Sequence, residues 1–87
     1  MTDGHPPLAL LRNVPVRSII RALTHEGFDF VGRKGSQRIY RHSGPPPRRV
    51  VVHYHTGNRP LSPVEIQSLY EGTHWTEDDL KRLGLTS

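Results

Sequence analysis

An α+β two-layer sandwich is predicted: a three-stranded antiparallel sheet covered on one face by helices, in the order αβββα. Three observations predict it. Val16, Ile19, Ile20 and Leu23 recur at i, i+3, i+4 and i+7, which draws one apolar stripe along a helix. Three short β-type runs follow, separated by Gly- and Pro-bearing turns too short for a crossover, so the strands pair as an antiparallel meander. Two capping patterns, Ser62-Pro63-x-Glu65 and Thr76-x-x-Asp79, then open helices near the C-terminus. Neither a lone helix nor a lone sheet can bury its apolar side, so the helices must cover one face of the sheet and leave the other wet.

Each element has its local reason. Residues 1–13 read as a flexible N-terminal arm, with Leu8, Leu10 and Leu11 as apolar residues able to pack, and residues 14–87 as a single domain. Pro15 suits a first helical position and Gly27 a left-handed stop, which places the first helix over 15–26. Phe28–Gly32 alternates as a half-buried strand, Gly35 and Ser36 turn, and Gln37–His42 returns. Gly44 and the prolines 45, 46 and 47 break that strand, because proline cannot donate to a ladder. Arg49–His55 is the third strand, rich in β-branched Val50, Val51 and Val52. Period-two alternation puts Val50, Val52 and Tyr54 against the helices and His53 with His55 on the wet face; for the second strand, the sets Gln37/Ile39/Arg41 and Arg38/Tyr40/His42 each hold one apolar residue, so the pattern leaves its facing open. Ile66, Leu69 and Tyr70 give the next helix its apolar face, with Gly72 as its stop. The last short helix carries Leu80 and Leu83, with Trp75 as the hydrophobic staple before the Thr76 cap. Phe28, Phe30, Tyr40 and Tyr54 are expected in the core.

Charge is unevenly spread. The chain has 87 residues and a net charge of +4, yet Phe30 to Val64 contains no Asp or Glu. That run holds seven of the twelve Lys and Arg residues and three of the six His, while the acids sit at the two ends. A cationic middle of this kind meets an anion, and RNA or DNA is the first candidate, expected on the wet face of the sheet. The absence of cysteine excludes disulfides and thiolate metal sites. Nothing resembles a signal peptide or a membrane span, and a cytoplasmic location is expected.

The order αβββα is also that of double-stranded-RNA-binding domains. Within it stand Gly27-Phe28, Arg33-Lys34-Gly35-Ser36, Ile39-Tyr40-Arg41-His42, a valine-rich strand ending at His55, and a capped helix. In that order and spacing, from Val16 to Leu85, the chain resembles the HicA toxins, also called YcfA-like proteins. The resemblance implies a small cytoplasmic RNA endonuclease of a type II toxin–antitoxin pair, an mRNA interferase that cuts messenger RNA unless held by its antitoxin, HicB. It implies no cofactor. The family's catalytic residue is the histidine immediately after Gly-Ser, and here that position is Gln37, followed by Arg38. His53 stands where the family has a proline, two residues before His55, and Pro63-Val64 replaces a glycine near the start of the second helix.

Cleaving RNA requires a proton acceptor, a proton donor and positive charge near the phosphate; the nucleophile is the RNA's own 2′-hydroxyl, so no metal is required. The expected catalytic positions are Gln37, His55 and His53. The expected RNA contacts are Arg33, Lys34, Ser36, Arg38, Arg41, Arg48 and Arg49, the last two at a hairpin tip. Two readings stay open. Either His55 with His53 partly replaces the missing histidine, or the domain is an RNA-binding or protein-interaction module that no longer cuts, because glutamine cannot exchange a proton near neutral pH. A third, in which His53 and His55 hold a metal with His5 or His42, lacks an acidic neighbour and a definite third ligand, and no metal site is expected.

Overall fold

The computed structural model describes residues 5–54 and 56–86. A short 3-10 helix, Leu8–Leu11, leads into α1 (Val16–Glu26), β1 (Asp29–Lys34), β2 (Gln37–His42), β3 (Arg48–His53), α2 (Pro63–Thr73) and α3 (Glu77–Arg82). The sheet is antiparallel in the order β1-β2-β3. This is the αβββα arrangement with a short terminal helix added.

The apolar stripe of α1 does what its spacing implies: Val16, Ile19, Ala22 and Leu23 are buried. Gly27 ends the helix at φ 103°, where a Cβ would be strained. Its N–H donates to Thr24 O, and the next N–H, of Phe28, donates to Leu23 O at 2.9 Å. This Schellman closure turns the chain and drops the Phe28 ring into the core. Gly35, at φ 60°, turns β1 into β2 with Lys34 opposite Gln37.

The core is one cluster. Tyr40 from β2 and Val50 and Val52 from β3 meet Ile66, Leu69 and Tyr70 of α2, the α1 stripe, Trp75 and Leu80. Trp75 is the staple its position suggests, buried in that cluster together with Leu80 one helical turn past the cap. Both capping boxes are formed. The Ser62 hydroxyl accepts from Glu65 N–H while Glu65 Oε1 accepts from Ser62 N–H; Thr76 and Asp79 do the same for α3. Burial works against ionisation of Asp79, but the Thr76 N–H, the Arg82 guanidinium and the Thr76 hydroxyl together hold its carboxyl below the usual range.

Four expectations are corrected. The second half of the expected arm is packed: Leu11 is fully buried, and the Tyr70 hydroxyl donates to Pro7 O at 3.0 Å. Burial and the charge of Glu77 push that hydroxyl's pKa up to about 12. Gly72 does not stop α2. It lies inside the helix, where a Cβ would come within 2.7 Å of Arg49 O and 2.9 Å of Val50 Cγ2, so glycine lets α2 lie against β3; His74, at φ 60°, makes the left-handed stop instead. Phe30 is not core but 54% exposed, because β1 is the edge strand away from α2 and buries none of its residues. Tyr54 is only half-buried, at the margin of the core.

Candidate nucleic-acid interface

The facing of β2 is settled by Tyr40. That ring is buried against the helices, so Arg38 and His42 share the helix side and Gln37, Ile39 and Arg41 point to the wet side. The strand register then assembles the wet face in rows. Lys34, Gln37 and His53 form one, Gly32, Ile39 and Val51 the next, and Asp29, Arg41 and Arg49 the last. Tyr54 N–H donates to Ser36 O at 2.7 Å, which makes the adjacent Gln37–His53 couple a non-hydrogen-bonded pair. In such pairs the side chains stand closest, with Cα atoms roughly 4.5 Å apart. The candidate glutamine and one candidate histidine are therefore neighbours on an open surface, one residue from the Gly35-Ser36 turn.

Not every expected contact joins them. The basic residues do not gather on a single face. Lys34, Arg41 and Arg49 lie on the wet side, whereas Arg33, Arg38 and Arg48 lie on the helix side. The physical cause is the parity of β2 together with a bulge in β1 between Phe30 and Gly32, which shifts the facing of every later β1 residue. What the fold does concentrate is position along the sheet. Arg33, Lys34, Ser36, Gln37, Arg38 and His53 surround the β1–β2 turn: Arg38 and Gln37 stand across from Arg33 and Lys34, and His53 stands across from Gln37 in β3.

Arg41, Arg48 and Arg49 occupy the other end of the sheet, about 13 Å away at the rise of a strand, where with Pro47 they line one open depression. Arg48 has a structural job there. Its guanidinium donates to Thr73 O, the last carbonyl turn of α2, at 2.7 Å and lies 5.1 Å from the centre of the Phe28 ring. Arg41 and Arg49 are exposed and opposite one another. Asp29, just outside the acid-free run, stands in register with Arg41 and tempers the charge of that end.

His55 lies outside the described residues. The two other histidines considered as metal partners sit elsewhere: His42 is on the helix side, edge-on to Phe28, and His5 stacks on Tyr70. Among the described residues no three His, Cys, Asp or Glu side chains converge. His53 also borders a small cleft of about 60 Å³ lined by Val16, Thr56, Arg59, Pro60, Leu61 and Glu65. The sequence does not point to Arg59 and Glu65 as neighbours of His53, since only tertiary folding carries the 56–61 loop back beside β3, where Pro60 bridges to Pro15.

The structure is thus a small α+β domain with a half-covered sheet and a basic, carboxylate-free turn beside an amide–imidazole couple. The chain belongs to the HicA toxin family of bacterial toxin–antitoxin systems, whose pattern it matches over residues 16–85. It is thus of the toxin half of such a pair, a class that goes with an antitoxin partner. No curated protein and no solved structure matches the chain. No helix among the described residues is long and apolar enough to cross a membrane.

Proposed function

We propose that this protein is a cytoplasmic RNA-directed toxin that binds messenger RNA around the β1–β2 turn, cleaves it by metal-free acid–base chemistry, and is neutralised by a HicB-like protein. The observation that carries the reading is the Gln37–His53 couple on the wet face beside Lys34, in a chain of the HicA family. In the reaction the 2′-oxygen attacks the adjacent phosphorus as its proton passes to a base; the bond to the 5′-oxygen breaks as an acid protonates it. The products are a 2′,3′-cyclic phosphate and a 5′-hydroxyl. His53 is the proton-exchanging group at this position, and His55, two residues on in sequence, is the second. Gln37 holds a phosphate oxygen by its amide N–H and exchanges no proton. Lys34, beside them on the same face, supplies the positive charge that a pentavalent phosphorus demands.

The substitution at position 37 favours a second reading, in which the protein binds RNA and no longer cuts it. A labelled transcript incubated with wild type, His53→Ala and His55→Ala separates the two. Cleavage that falls in either variant supports the cutter; equal activity in all three removes both histidines from the chemistry. Binding without cleavage in the wild type establishes the second reading.

A further inference from the structure

The exposed ring of Phe30 is the largest feature of this surface that the reading above leaves unused. It is 54% exposed on the helix side of β1, beyond the reach of α2. It is also not alone. The Tyr40 ring lies tilted against it with centroids 5.6 Å apart, and the Arg38 guanidinium sits between two rings, 4.0 Å from the centre of Tyr54 and 6.0 Å from that of Phe30. Arg33 is the direct cross-strand partner of Arg38. Two like charges opposed in this way destabilise a sheet unless an anion lies between or above them.

We propose that Phe30, backed by Tyr40 and Arg38 and flanked by Arg33, is a nucleotide-stacking site: an unpaired RNA base lies on the outer face of the Phe30 ring and its phosphate meets the Arg33–Arg38 pair. The inference rests on the RNA reading and adds to it a second point of contact, on the opposite face from Gln37 and His53. A single strand passing over the β1 edge near the Gly35 turn reaches both. An aromatic ring with a guanidinium beside it suits any base, because every base has a π face. Charge complementarity favours this occupant over a protein: beyond Phe30, its partner Tyr40 and the adjacent exposed Val31, the next cross-strand pair on this side is Arg33 with Arg38.

The test uses the full chain and a short single-stranded oligoribonucleotide carrying 2-aminopurine, at low ionic strength. Wild type should bind and quench the probe. Phe30→Leu keeps apolar bulk but loses the ring, and should weaken binding roughly 5- to 100-fold and abolish the quench. Phe30→Trp should restore both and have its own emission quenched by unlabelled RNA. Thermal melts of the variants should match wild type, since the side chain is largely exposed. Unchanged affinity and quench in Phe30→Leu would overturn the stacking site while leaving RNA binding intact. Loss of antitoxin binding in Phe30→Leu with RNA binding unchanged would overturn it in favour of a protein-contact surface. No complex between wild type and RNA would sink the RNA reading itself.

Discussion

Gln37 and His53 are direct partners across β2 and β3, on the uncovered side of the sheet and next to the turn that carries Gly35 and Ser36. Gln37, where the resemblance to the HicA toxins implies a histidine, and His53 thus occupy one patch, although they lie sixteen positions apart in the chain.

On the proposed reading, a histidine at position 37 would stand beside His53 as a second proton-exchanging group. Gln37→His should raise transcript cleavage by roughly 10²–10⁴-fold, the usual value of a positioned acid or base. Adding His53→Ala to Gln37→His should lower it again if the two imidazoles act together. End-labelled RNA on a sequencing gel reads both, and a Gln37→His protein no more active than the parent would argue against a single-residue loss.

Arg48 and Arg49 are neighbours in sequence with opposite duties. Arg48→Ala removes a charged donor from Thr73 O and uncovers Phe28, so it should lower stability by about 1.5–3 kcal/mol in a denaturant melt. Arg49→Ala should leave the melt unchanged and weaken RNA binding, with the slope of log affinity against log salt reduced by about one.

Gly72→Ala should cost about 1–3 kcal/mol, against the gain expected of alanine in an exposed helix, because its methyl group would collide with the backbone of Arg49 and the side chain of Val50. Denaturant midpoints of the variant and wild type decide it.

Tyr70 keeps its proton in the folded state up to about pH 12, whereas the unfolded chain releases it near pH 10. The folded form therefore binds more protons between these values, and stability should fall as pH rises through that window. Tyr70→Phe should flatten this alkaline slope and free the 3-10 segment from its tie to Pro7 O. At the other limb, Asp79 is held below its usual pKa; its contribution is present above the unfolded value and is lost as pH falls through the folded one, so Asp79→Asn should soften the acid transition. Melting curves across pH measure both limbs.

The fold class, the end of α1 and the starts of α2 and α3 were legible because they are written in local chemistry. The Val16–Leu23 stripe, Gly27, and the Ser62–Glu65 and Thr76–Asp79 boxes each satisfy backbone groups or bury a face within a few residues of themselves. The wet facing of His53 followed from the three valines before it. What local pattern left open was everything that depends on what lies beside a strand. Gly72 looked like a stop because its packing against Arg49 and Val50 is long-range. Phe30 looked like core because alternation does not say that β1 is an edge the helices fail to reach. Which of Arg38 and Arg41 faces the helices was decided only when Tyr40 took the helix side over Ile39.

The sequence by itself determined the αβββα order, the acid-free basic stretch and the family to which the chain belongs. The tertiary structure decided that the basic residues wrap the β1–β2 turn on both faces rather than coating one, and that Gln37 meets His53. The reason is geometric: composition sets how much charge and apolar surface a strand carries, but only cross-strand register and the reach of the helices set which residues end up side by side and which stay in water.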